Sequence, residues 1–187
     1  MKSRPLDPLR LDVAAMAADG ASLQGQWPLA QLPRLRESCL PVADQAPPDV
    51  NWSVQGERRK SRPGVEGDNW LLLHADALAT LECQRCLQPM TTPLSVDREF
   101  RFVRSEEEAE AQDIDSDEDV LALPRFLDLR GLVEDELILE LPLVPRHEQC
   151  PEPLPLPPDE PLAAAEEEAA PHPFAGLAAL KKDPSAH

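Results

Sequence analysis

Two short stretches carry soft or borderline donor atoms: Cys83 and Cys86, with two residues between them, and the later His147 and Cys150. A Cys-x-x-Cys pair lets two thiolates converge on one tetrahedral ion, and a complete site needs two further ligands from elsewhere in the chain. His147 and Cys150 are available for that role. The spacing also admits two other readings. A redox pair would have one thiol's pKa lowered at a helix N-terminus, which expects a strand-to-helix crossover at the cysteines. Here Pro89, Thr91 and Thr92 lead on into another strand. The third reading is two small buried thiols without chemistry. On the metal reading, Cys83, Cys86, His147 and Cys150 hold a structural zinc that pins the segment after the main helix to the sheet. Their ligating atoms should then lie within about 4 Å of one another.

The element that must deliver the knuckle is the stretch from Asn69 to Glu82. Leu71, Leu73, Ala75, Ala77, Ala79, Leu81 and Cys83 fall on one side of a period-2 pattern; Trp70, Leu72, His74, Asp76, Leu78, Thr80 and Glu82 fall on the other. One face is wholly apolar and the other mixed, which asks for antiparallel partners and a core on one side only. Val50, Trp52 and Val54 alternate in a strand before it, and Leu94, Val96, Phe100 and Phe102 in a strand after it, where Arg98 interrupts the apolar side. His74, on the mixed face, reads as a satisfied structural group.

Upstream, Asp7 before Pro8 reads as an N-cap with proline at the first helical position, followed by Leu9, Val13, Met16 and Ala17 at helical spacing and a stop at Gly20. A short strand over Leu23 to Trp27 and a second helix from Pro33 come next, with Cys39 on that helix's apolar face reading as core. Downstream, residues 105–119 are rich in carboxylates and hold no base, so self-repulsion predicts a mobile loop; residues 106–118 are expected to lack fixed structure. The glycine and the terminal glutamate of a calcium-binding EF-hand loop are missing from this run. Val120 to Leu123 predicts one more strand. Asp128 then caps the strongest helix, which turns Leu129, Leu132, Val133, Leu137, Ile138 and Leu141 inward and Arg130, Glu134, Asp135 and Glu140 to water before Pro142 ends it.

These elements predict an α+β domain over residues 5–150. Its antiparallel sheet can curl towards a small barrel and is covered by the helix from Asp128 to Leu141. Residues 151–170, rich in proline, alanine and glutamate, read as a disordered linker, and residues 171–187 as a short C-terminal helical peptide with Phe174, Leu177 and Leu180 on an apolar edge.

The net charge of −17 is uneven: residues 1–104 carry 13 basic and 13 acidic side chains, residues 105–187 carry 5 and 22. Nucleic-acid binders are normally read from a basic patch, so the chain as a whole would be repelled by RNA. The local exception is a basic loop, Arg58, Arg59, Lys60 and Arg62, which taken alone reads as a solvated turn. Four scattered cysteines and no N-terminal apolar run of signal length place the chain in a reducing, cytoplasmic setting. No run reaches the ~20 apolar residues of a membrane span. There is no Ser/His/Asp arrangement, no carboxylate pair beside a base and no phosphate-cradling glycine loop, so an enzyme reading, redox or nucleolytic, rests on the cysteines alone.

Leu81 to Cys86 after a long strand, the acidic loop, Asp128 through Leu141-Pro142-Leu143-Val144-Pro145 with His147 and Cys150, and Pro173-Phe174-Ala175 to Leu180-Lys181 together resemble the YceD family of large ribosomal RNA subunit accumulation proteins. The resemblance implies a non-enzymatic cytoplasmic factor supporting synthesis, processing or stability of 23S ribosomal RNA, and hence large-subunit biogenesis. Its implied partners are the large-subunit precursor or its assembly proteins. Arg58, Arg59, Lys60 and Arg62 are then the candidates for touching RNA or a ribosomal surface, with Lys181 and Lys182 next.

Overall fold

The computed structural model describes residues 6–41, 48–60 and 67–151, which belong to one compact unit. The expected linker beyond Pro151, the C-terminal peptide and Arg62 lie outside the described residues. The elements run α1 (Val13–Asp19), β1 (Ser22–Pro28), a 3-10 turn (Leu29–Gln31), α2 (Pro33–Ser38), β2 (Asp49–Arg59), β3 (Asp68–Glu82), β4 (Pro89–Val103), α3 (Glu106–Asp113), β5 (Asp119–Ala122) and α4 (Leu129–Leu139).

One five-stranded sheet has the order β1-β2-β3-β4-β5. The first four strands form the expected antiparallel meander, with Leu73 opposite Val54 on one side and Arg98 on the other. β5 pairs parallel to β4, so the sheet is mixed, and its end strands do not meet, so it is an open α+β sheet rather than a barrel. The period-2 prediction for β3 holds at every position: Leu71, Leu73, Ala75, Ala77, Ala79, Leu81 and Cys83 are all buried. Alternation fixes this register, because a one-residue slip would put the whole apolar row into water. Leu129, Val133 and Leu137 of α4 and Val13 and Met16 of α1 join Trp52, Val96, Phe100 and Phe102 in the same core. α1 crosses β2 where Gly56 leaves room: a Cβ there would stand 2.7 Å from the Ala17 nitrogen and the Met16 carbonyl carbon.

Five local expectations need correction. The first helix is capped by Asp12, not Asp7, because residues 7–10 form a turn and Leu11 then exchanges two backbone hydrogen bonds of 2.9 Å with Leu127 before the helix begins. Asp7 instead accepts from the Leu9 N–H in a tight turn. Gly20 does end the helix, with φ of 60°.

The acidic run is not wholly irregular. Ser105 caps α3 by accepting from the Glu108 N–H, and Glu106, Glu107 and Glu108 occupy the first turn, where the helix dipole favours carboxylates. Ala109 packs with Val103 and Val120 in a small second core. The guanidinium of Arg101 then holds Gln112, Ser116 and Glu118, so one cation organises much of the run.

Glu134, expected in water, is 5% exposed, because its carboxylate accepts from the first backbone N–H groups of α2. Arg98, the interruption on the apolar face of β4, reaches α4 and pairs with Glu136 and Glu140. α4 itself stops at Leu139, two residues early, although Leu141 still packs on the core. Finally, β2 continues through Arg59, so Arg58 and Arg59 belong to a strand and not to a loop.

Candidate metal centre

β3 carries its apolar row straight into the knuckle. Past Glu82 the chain turns: the Cys83 N–H donates to the Gln88 carbonyl at 3.0 Å and the Leu87 N–H to the Cys83 carbonyl at 2.8 Å. Leu87 takes φ of 59°, the left-handed region uncommon for a residue with a branched side chain. Cys83 and Cys86 are 0% and 4% exposed. From the other direction, Pro142 and Pro145 keep the segment after α4 irregular. That segment is fastened to the knuckle by Gln84 N–H to the Pro145 carbonyl, 2.8 Å, and by His147 N–H to Cys83 Sγ, 3.4 Å.

The four residues expected to share an ion are therefore brought together. One donor atom from each of Cys83, Cys86, His147 and Cys150 lies within 4.8 Å of all the others, slightly wider than the expected 4 Å. Cys83 Sγ and Cys150 Sγ are 3.9 Å apart, and Cys86 Sγ and His147 Nδ1 are 3.4 Å apart. Tetrahedral zinc, with Zn–S of about 2.3 Å and Zn–N of about 2.0–2.1 Å, sets these separations at about 3.8 and 3.5 Å. The donor set fits a metal.

Electrostatics agree with a cation at this point. Burial pushes the Cys83 thiol up, but the backbone N–H groups of His147, Arg85 and Cys86 outweigh it and bring it down to about 5. Burial, with the Cys150 and Cys83 sulfurs beside it, holds Cys86 up. Neighbouring sulfurs cannot all ionise without a positive charge among them, and a bound metal ion supplies that charge. Arg85, between the two knuckle cysteines, adds a cation of its own: Nε donates to Cys150 Sγ at 2.9 Å, and Nη2 to the carbonyls of His147 at 3.0 Å and Glu148 at 3.4 Å. An arginine inside a Cys-x-x-Cys spacing was visible in the sequence; its reach across to residue 150 was not.

The other described residues singled out from the sequence lie apart from this centre. Cys39 is half-buried at the end of α2 and does not belong to the four-residue group. His74 is satisfied, each ring nitrogen 2.8 Å from a carboxylate, Nδ1 to Asp97 and Nε2 to Asp76. Arg59 pairs with Glu57 and Glu99 and stacks 4.5 Å from the Trp70 ring. Arg58 donates to the Asn69 side chain, and Lys60 is exposed.

Among the described residues no helix is long and apolar enough to cross a membrane. No solved structure matches the chain. A curated relative from Haemophilus influenzae (strain Rd), named Large ribosomal RNA subunit accumulation protein YceD, is 31% identical over 150 residues, covering 76% of this chain and 78% of the relative. The family model described as Large ribosomal RNA subunit accumulation protein YceD matches residues 71–181, from the start of the buried row of β3 through both ligand pairs. With that match over more than half its length, the chain belongs to the YceD family.

Proposed function

We propose that this protein is a non-enzymatic, cytoplasmic factor in large ribosomal subunit biogenesis, supporting the synthesis, processing or stability of 23S ribosomal RNA. It acts on the large-subunit precursor or its assembly proteins and uses no membrane. The name of its relative supports the process, and one observation supports the mode of action. The three sulfurs and one imidazole nitrogen turn on one another at the end of β3 in a closed set of four, the arrangement of structural rather than catalytic zinc, which keeps a position open for water or substrate. Zinc held there fastens residues 145–150 to the sheet and shapes the surface that a partner meets.

The competing reading is a cysteine-dependent redox or nucleolytic enzyme, and the depressed pKa of Cys83 is what favours it. Reactive cysteines sit in partly exposed surroundings, whereas the Cys83 side chain is wholly buried and its knuckle leads into a strand.

Contact with RNA or a ribosomal surface is assigned to Arg58, Arg59, Lys60 and Arg62. Arg59 is already paired with two carboxylates, and Lys60 beside it is exposed. Sedimentation of lysate through a gradient tests the reading: the protein is expected to travel with immature large particles and to leave them as salt rises. Serine at all four basic positions should weaken that association and flatten its salt dependence. A wild-type protein found only at the top of the gradient removes direct action on the precursor.

A further inference from the structure

The segment that supplies two of the four ligands has no regular structure of its own. Residues 142–150 contain neither helix nor strand, and Cys150 is half-buried where the knuckle cysteines are fully buried. Two backbone groups of this segment bond to the knuckle, the Pro145 carbonyl and the His147 N–H, both upstream of Cys150. Beyond His147 the contacts are made by side chains: the Cys83 and Cys150 sulfurs are 3.9 Å apart, and Arg85 spans His147 to Cys150. Arg85 extends from the turn between Cys83 and Cys86 and places three hydrogen bonds on three acceptors of the corner: the His147 carbonyl, the Glu148 carbonyl and Cys150 Sγ.

We propose that Arg85 is a clamp for the metal centre, a positioning residue that assembles His147 and Cys150 on the knuckle before the ion arrives and balances the centre's charge once it is bound. This rests on the zinc reading given above. Three thiolates and one divalent ion leave a net charge of −1 at a site with two buried sulfurs, and the guanidinium in contact with Cys150 brings the sum to zero. An arginine suits this role better than a lysine, because the acceptors are met by two nitrogens of one planar fork, Nε on the Cys150 sulfur and Nη2 on the two carbonyls. A lysine ammonium would retain the charge and lose the fork. Because Arg85 touches the ligands and not the ion, it acts as an outer-shell partner, and the loss of such partners lowers metal affinity by about 10–100-fold.

The test uses the full-length chain with Arg85→Lys, Arg85→Gln and Arg85→Ala. Zinc affinity is measured by competition with a chromophoric chelator, and amide hydrogen exchange over residues 143–151 is measured on the metal-free proteins, with melting curves to check that each variant folds. Expected are a 10–100-fold loss of affinity for the glutamine and alanine variants and an intermediate loss for lysine. Exchange over residues 143–151 should accelerate without change in β3 or α4. A wild type that takes up zinc while the variants match it in affinity overturns the clamp and leaves the zinc reading intact. A wild type that takes up none overturns the zinc reading. The exchange measurement then decides the clamp by itself: unchanged exchange in the glutamine variant removes it, and selective loosening of the corner supports it.

Discussion

Arg34 offers one carboxylate, that of Glu134, both its backbone N–H at 2.7 Å and two guanidinium nitrogens at 3.1 Å, a hundred residues away in sequence. The same carboxylate accepts from the Leu35 N–H at 3.2 Å, so a side chain of α4 closes the open N-terminus of α2, where Leu32 supplies no cap. Replacing Glu134 by alanine strands two backbone donors in a buried place, and the expected loss is about 2–3 kcal/mol in denaturant melts. Arg34→Ala should lose much less, because its guanidinium is half exposed and the two backbone N–H groups keep their acceptor. Equal losses for the two variants would mean that the ion pair, not the cap, is what matters.

Purified protein is expected to hold one zinc per chain, and a chelator should lower its melting temperature. At free zinc a thousandfold above Kd the bound ion adds about 4 kcal/mol to stability. Serine at Cys83, Cys86 or Cys150 should abolish that dependence, while serine at Cys39, outside the group, should leave it unchanged. Metal analysis with paired melts in the presence and absence of chelator decides the point.

His74 has its pKa raised, chiefly by the hydrogen bond to Asp97, with burial opposing and Asp76 adding to the rise. The sign follows from linkage. A folded pKa above the unfolded one gives stabilisation that is complete below the unfolded value, about 6.5, and is lost as pH climbs through the folded value. The ring is nearly half exposed, so solvent limits the contribution to that of an exposed pair, about 0.2–1 kcal/mol. Proton resonances of the imidazole should titrate above 6.5, and Asp97→Asn should bring the midpoint back down.

Gly56→Ala should cost about 1–3 kcal/mol, since the new methyl meets backbone atoms of α1 that cannot rotate away. Gly20→Ala, where no atom lies within 4 Å, should act only through its left-handed φ. A neutral Gly56→Ala would show that α1 can slide over β2.

The parts of this fold legible in the sequence are those set by one residue's immediate neighbours. The buried row of β3 follows from alternation alone, and Asp128 is read as a cap because its acceptor reaches N–H groups two and three residues on. The four-residue group was legible because each half is local: the knuckle at the end of β3 and the His-x-x-Cys corner after α4 are each read from their own spacing. What stayed hidden depends on side chains that act at long range. The acidic run looked formless because the side chain that organises it, Arg101, lies in the preceding strand. Glu134 looked solvent-facing because its partners are at residues 34 and 35. Arg98 looked like a flaw in an apolar face because its counter-charges, Glu136 and Glu140, are on a helix not yet reached. In the same way, the sequence shows no reason for the parallel addition of β5, which follows from α3 returning the chain along β4 so that Asp119 starts beside Phe100.

A metal joining Cys86 to His147 links residues 61 positions apart and closes a ring that contains β4, α3, β5 and α4. In chain-entropy terms a cross-link of that span shrinks the unfolded ensemble by roughly 4 kcal/mol, as a disulfide would, but with reduced thiols. A single protease nick between α3 and β5 would therefore leave two fragments tied together under denaturing conditions that spare the metal, and a chelator would part them.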